Sequence, residues 1–189
     1  MNLKDVQVCL DLDSTCIYSI SKGEKPRGSD YFEMYCGESY IVHKRPYIGE
    51  FLNYCLNNLG SVNVWTAADS RYAKEIVKGL FGSRYKDVLF WHRDNCEGIL
   101  TPDESYPYYK PLHKLIDTYP EKYNIRNTFI VDDVSETGRK NMFNLVNIKP
   151  FKGSNEDNEL LKIMAVLEEF KTGFNDVREL VSVINANIE

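Results

Sequence analysis

Val6-Gln7-Val8-Cys9-Leu10-Asp11-Leu12-Asp13-Ser14-Thr15 is an apolar run that stops abruptly at two aspartates and a threonine. A short, nearly unbroken apolar run reads as a strand buried on both faces, the pattern of a parallel sheet. The same break recurs twice downstream. Val62-Asn63-Val64-Trp65 runs into Thr66-Ala67-Ala68-Asp69, and Thr128-Phe129-Ile130-Val131 runs into Asp132-Asp133. Ligands of open α/β sheets collect at the carboxyl ends of the strands. Three polar clusters at three strand ends therefore predict one shared site, and its carboxylates suggest phosphoryl transfer with a divalent metal.

The segments between these strands supply the layers. Ile48, Phe51, Leu52, Cys55, Leu56 and Leu59 recur at helical spacing and Gly60 ends the pattern. Asp69 can cap a second helix whose packed stripe is Tyr72, Ala73, Ile76, Val77 and Leu80. Val88–Trp91 and Leu145–Ile148 read as further strands, Leu112–Thr118 as a short helix, and 156–170 and 176–187 as two closing helices. Val177, Leu180, Val181 and Ile184 form the apolar face of the last one, which is expected to pack on the body. Tyr31–Cys36 and Ser39–His43 flank Gly37-Glu38 and predict a β-hairpin insertion over about 30–43. Residues 19–30 and 92–111 read as polar loops on the carboxyl side of strands, placed to shape an entrance. Strands alternating with helices give right-handed βαβ units and a parallel sheet flanked by helices.

With 189 residues the chain is expected to be one domain able to bury a sizeable core. Its net charge of −5 argues against broad nucleic-acid binding, which needs a basic surface to displace counterions. The acidity lies in residues 151–189, where eight Asp and Glu face four Lys and Arg. The five cysteines are an odd number without a C-x-x-C pair, which fits a reducing compartment. Cys16 lies beside Thr15 but has no basic neighbour in sequence to lower its pKa, so it is a poor candidate nucleophile. Met1–Asp5 has no signal-peptide character and no apolar stretch approaches a membrane span, so a cytoplasmic or nuclear location is expected.

Asp11 and Asp13 are one residue apart. On extended backbone such residues project to the same side, and two carboxylates sharing a pocket raise at least one pKa by repulsion and desolvation. Such a pair can divide into nucleophile and proton donor. Asp132 and Asp133 add oxygen ligands of the kind Mg²⁺ prefers, and a cation would let a carboxylate approach a phosphate dianion. Taken singly, each piece has a plainer explanation. Asp-Leu-Asp at a strand end is often a turn or cap, and Lys110 before Pro111 could be an ordinary surface lysine.

As a set the motifs are more specific. Asp11-Leu12-Asp13-Ser14-Thr15 resembles the D-x-D-x-T motif of haloacid-dehalogenase-type phosphatases. Arg45-Pro46, Trp65-Thr66-Ala67-Ala68, Lys110 and Val131-Asp132-Asp133-Val134-Ser135 resemble the branch acting on the RNA polymerase II C-terminal domain, the NLI-interacting-factor-like phosphatases. The resemblance runs over about 6–170. It implies a haloacid-dehalogenase-like (Rossmann-like) fold, a single phosphatase domain over 1–189, and a Mg²⁺ cofactor. It also implies roles. Asp11 would attack phosphorus and form an aspartyl-phosphate. Asp13 would protonate the leaving oxygen and then activate water, its backbone carbonyl touching the metal. Thr15 would hold the loop geometry, orient the carboxylates and count with Arg93 among the substrate-binding residues. Thr66 and Lys110 would bind phosphoryl oxygens, Asp132 and Asp133 would complete the metal site with Asp11 and Asp13, and Arg93 would lie near the bound phosphate. Arg45 is expected to orient the loop and helix rather than touch substrate.

The chain departs from the family pattern in places. Ser14 replaces an acidic residue, and Val134-Ser135 replaces Ser-Pro, which bears on loop shape rather than on the carboxylates. The walls of a peptide pocket are not assignable. Phe32, Tyr35 and Tyr40 could form them or could serve hairpin packing. Only 29 residues separate Thr15 from Arg45, too few for a large cap domain, and an open site suits a phosphorylated protein substrate. The alternatives are a phosphatase of small molecules or nucleic-acid ends, and a non-catalytic phosphoprotein-binding module.

Overall fold

The computed structural model describes residues 1–21, 23, 30–98, 108–171 and 173–188. Its centre is a five-stranded parallel sheet built from β1 (Gln7–Leu10), β5 (Ser61–Trp65), β6 (Leu89–Trp91), β9 (Thr128–Asp132) and β10 (Leu145–Asn147), in the order β10-β9-β1-β5-β6. The small strands are β2 (Ile17–Ser21), β3 (Tyr31–Cys36), β4 (Glu38–Lys44), β7 (Glu97–Gly98) and β8 (Tyr108–Tyr109). The helices are α1 (Ile48–Asn58), α2 (Ser70–Phe81), α3 (Leu112–Thr118), α4 (Glu159–Glu169) and α5 (Val177–Ile188). β1 and β9 are buried along their whole length, as their apolar runs require.

Alternate residues of the central strands face opposite layers. Val8 and Leu10 pack in one cluster with residues of α1, α2, α4 and α5. Cys9, Trp65 and Ile130 pack with Leu112 and Leu115 of α3 on the other face. Asn63 lies buried in β5 without an orphaned amide. Its Nδ2 donates to the Val8 carbonyl at 3.0 Å and its Oδ1 accepts from the Tyr123 hydroxyl at 2.9 Å.

Register fixes the site. Leu10 lies opposite Val64 on one side and Val131 on the other. The next residue of each strand, Asp11, Trp65 and Asp132, therefore emerges at one level. From β1 the chain proceeds through β5 to β6, then returns across β1 to β9. Strand order reverses between β1 and β9, the place where such sheets bind ligands.

The insertion is larger than a hairpin. Ile17–Ser21, expected to end in polar loop, is a strand that pairs antiparallel with β4 from Ile17–Lys44 to Ser21–Tyr40, making a sheet of order β2-β4-β3. Ile17 and Ile20 are buried beneath it. Gly37 makes the tight turn at φ 77°, which glycine adopts without strain. The Phe32 ring rests on Gly79 of α2 so closely that a Cβ there would fall 2.5 Å from it. Phe32 thus serves packing, whereas Tyr35 is exposed. The expected loop at 92–111 contains β7 and β8, which pair with each other, and its residues 99–107 lie outside the described residues, as do 22 and 24–29 of the first loop. Among the described residues no helix is long and apolar enough to cross a membrane.

Candidate active site

The loop after β1 is a tight turn organised on one carbonyl. Leu12 O accepts from the backbone N–H groups of Thr15, Cys16 and Ile17, and Ser14 takes left-handed backbone at φ 61°. This turn leaves Asp11 and Asp13 with different surroundings.

Asp11 is buried, and its Oδ1 accepts from Lys110 Nζ at 2.5 Å. The same ammonium donates to Asp132 Oδ2 at 2.6 Å. Lys110 follows β8 and is itself fully buried, with its backbone N–H bonded to the Thr137 carbonyl at 2.9 Å. It is not a surface lysine. Asp132 ends β9, and its Oδ1 accepts from the Val134 N–H at 2.9 Å. Asp133 is half-buried and doubly tied to Thr15, whose Oγ1 donates to Asp133 Oδ1 at 3.2 Å and accepts from the Asp133 N–H at 3.0 Å. Thr15 has no exposed surface, so it braces the two loops.

Carboxylate oxygens of Asp11, Asp132 and Asp133 lie within 4.8 Å of one another. Three carboxylates against one ammonium leave a formal charge of −2, the complement of a divalent cation, and an all-oxygen donor set suits a hard ion. Without a cation that much negative charge is disfavoured. Burial pushes the Asp11 carboxyl up to about 8, against the pull of Lys110 and with help from Asp132 and Asp13. Burial and the Asp132 charge also raise Asp133. Burial pulls the Lys110 pKa down, but Asp11 and Asp132 outweigh it and hold the ammonium above the ordinary lysine range.

The Asp13 side chain stands apart from that cluster. Its Oδ1 accepts from the Tyr72 hydroxyl at 2.7 Å, and burial raises its pKa while that hydrogen bond and Lys110 oppose the rise. Thr66 lies buried just after β5, where Oγ1 accepts from the Ala68 N–H at 3.2 Å and its own proton has no acceptor among the described residues. Arg93 braces this second loop. Its Nε donates to the Ala67 carbonyl at 2.9 Å, its backbone N–H to the Ala68 carbonyl at 3.1 Å, and its exposed guanidinium lies 5.6 Å from the Tyr108 ring centroid. Burial pushes the Cys16 thiol up to about 12, an environment that disfavours a thiolate.

Arg45 is the hidden support. Fully buried, it donates to the Thr15 carbonyl at 2.9 Å, the Lys149 carbonyl at 2.7 Å and both oxygens of Asp157 at 2.8 Å. Ser135, in the place of the family's proline, opens a one-turn 3₁₀ helix, Ser135–Gly138. Proline is tolerated at that first helical position because its N–H needs no helical partner, so the turn survives either residue. Sequence reading placed Tyr72 in the packed stripe and missed its hydroxyl contact. Asp157 it did not single out. The available signal was a tyrosine one turn after the cap of the helix that follows Thr66.

The sequence model of the NLI interacting factor-like phosphatases matches residues 6–178. The chain belongs to this family. Among similar proteins, the CTD phosphatase-like protein 355R of Invertebrate iridescent virus 3 is 27% identical over 90% of this chain and 99% of that protein. The ubiquitin-like domain-containing CTD phosphatase 1 of Xenopus tropicalis is 29% identical over 77% of this chain and 47% of its own length. Fission yeast RNA polymerase II CTD phosphatase Fcp1, solved bound to beryllium fluoride, superposes with a TM-score of 0.59 at 17% identity, over 97% of this chain and 62% of that one. That likeness establishes the fold, and the family membership makes this NLI interacting factor-like chain a phosphatase of haloacid-dehalogenase type.

Proposed function

We propose that residues 1–189 act as one Mg²⁺-dependent phosphatase domain that hydrolyses phosphoserine or phosphothreonine in proteins, with the RNA polymerase II C-terminal domain as a candidate substrate. The observation that carries the reading is the buried Lys110 bridging Asp11 and Asp132 beside Asp133. This is an expensive arrangement of charge for a structural core and a useful one for a phosphoryl group. Support for a protein substrate comes from the family and from the insertion, whose described residues form a small sheet rather than an enclosing cap.

Asp11, Asp132 and Asp133, with the Asp13 carbonyl, would hold Mg²⁺, whose charge would offset the repulsion between a carboxylate and a phosphate dianion. Lys110 spends two of its three donors on Asp11 and Asp132 and keeps the third for a phosphoryl oxygen. The free Thr66 proton offers a second such contact, and Arg93 stands at the rim of the same loop. In the first step an Asp11 oxygen bonds to phosphorus as the bond to the leaving oxygen breaks and Asp13 gives that oxygen its proton. In the second, water attacks phosphorus while Asp13 takes its proton, and the Asp11–phosphorus bond breaks to release inorganic phosphate. Thr15 acts through Asp133, which it holds.

The test is a panel of phosphopeptides, including heptad repeats phosphorylated at different serines, compared with sugar phosphates and 5′-phosphorylated oligonucleotides. Mg²⁺-dependent release from peptides is expected. Faster turnover of sugar phosphates or nucleic-acid ends would reject the protein-substrate reading.

A further inference from the structure

Tyr72 lies on the apolar stripe of α2, yet its polar end leaves the core. Its hydroxyl reaches Asp13 Oδ1 at 2.7 Å and stands 2.5 Å from Ser19 Oγ. A phenol has one proton. With that proton donated to Asp13 Oδ1, Ser19 must be the donor to Tyr72. The chain of hydrogen bonds therefore has a single sense, from Ser19 on β2 through Tyr72 to Asp13. The ring is held edge-on to Tyr40 of β4, 5.4 Å between centroids at 72°. Both Ser19 and Tyr40 belong to the small antiparallel sheet, so that sheet sets where the Tyr72 hydroxyl sits.

We propose that Tyr72 is the positioning residue for proton delivery by Asp13. Its hydroxyl pins Oδ1, which leaves Oδ2 as the oxygen that carries the proton to the leaving group. The inference rests on the phosphatase reading above. The terminal torsion of an aspartate is broad and roughly two-fold, so an unanchored Asp13 would sample orientations in which the proton misses its target. Misplacement by about 1 Å can lower a rate on the order of a hundredfold. Tyr72 matters in proportion to how much the leaving oxygen needs a proton. Leaving groups that depart readily as anions need little help, and poor ones need all of it.

Small aryl phosphates of graded leaving-group pKa read this directly, because they bypass any contact of Tyr72 with a peptide. Tyr72→Phe keeps the ring and removes the hydroxyl. The expected result is a steeper dependence of kcat/KM on leaving-group pKa, with phenyl phosphate losing about tenfold more than p-nitrophenyl phosphate, within the range a positioned proton donor contributes. Ser19→Ala, which spares Tyr72 and takes away its donor, is expected to steepen the dependence by a smaller factor. In an Asp13→Asn background, Tyr72→Phe is expected to add no further steepening, since the two act as one unit. Parallel lines for wild type and Tyr72→Phe, or equal steepening with and without Asp13, would overturn the inference while leaving the phosphatase reading intact. A wild-type protein inactive on every aryl phosphate and phosphopeptide would overturn the phosphatase reading itself.

Discussion

Lys110 Nζ lies 2.6 Å from Asp132 Oδ2 with both side chains almost wholly shielded from water. The pair joins the segment before α3 to the end of β9, and it is shared with Asp11, 99 residues from Lys110 in sequence. Lys110→Met keeps much of the stem and removes the charge. Breaking a buried pair by taking away one partner typically costs about 3–5 kcal/mol. Phosphatase kcat is expected to fall on the order of a hundred- to a thousandfold, as when a preorganised charge at the reacting group is lost. Urea unfolding and single-turnover kinetics on one sample check both effects. Retained activity would remove Lys110 from the phosphoryl site.

Asp11 gives a pH signature in metal-free protein. Its folded pKa of about 8 exceeds the unfolded value, so its contribution is fully present below the unfolded pKa of about 3.9 and is lost as pH rises through the folded one. Between those values the folded state binds the extra proton, and stability declines with increasing pH. Asp11→Asn removes that slope. Thermal melts in EDTA across this window are expected to show the wild type losing Tm relative to Asp11→Asn as pH rises, with Mg²⁺ restoring the wild type. Parallel curves would contradict the buried-carboxylate assignment.

Thr15→Val is nearly isosteric but deletes both bonds to Asp133, leaving a part-buried N–H without its partner. Such an orphan costs about 1–3 kcal/mol. Removing the partner of a ligating carboxylate typically weakens metal binding about 10–100-fold. The Mg²⁺ concentration for half-maximal turnover is expected to rise by that factor, and an unchanged value would show that Thr15 does not set the ligand's position.

Arg45→Lys retains charge but cannot reproduce the planar fork onto Asp157 together with two carbonyls. Destabilisation of about 3–5 kcal/mol is expected in urea titrations, with a parallel loss of activity as the Asp11–Thr15 turn loosens. Stability within about 0.5 kcal/mol of wild type, the range of an ordinary surface change, would show that the contacts carry no load.

These sites differ in how visible they are in the chain. β1, β5 and β9 are legible because strands buried on both faces must be apolar throughout, and each ends where a polar residue must meet the site. Asp11, Thr66 and Asp132 follow from that rule and from the register of a parallel sheet. β2 is hidden, because Ile17-Tyr18-Ser19-Ile20-Ser21 is strand-like only when β4 lies alongside it, a tertiary condition. Tyr72 is half-visible. Helical periodicity identifies the face it occupies but does not say that a phenol extends past the core's edge to Asp13. Asp157 as the partner of Arg45 rests on a contact across 112 residues of sequence, which no local pattern encodes.

A covalent intermediate on Asp11 is the step on which the proposed reaction turns. A phosphoserine peptide mixed with enzyme and Mg²⁺, quenched with borohydride during turnover and mapped by mass spectrometry, reads it directly. An acyl phosphate on Asp11 is reduced to homoserine at that position, and this modification is expected in wild type and absent from Asp11→Asn. Steady phosphate release with an unmodified Asp11, or with the phosphoryl group trapped on another residue, would contradict the account.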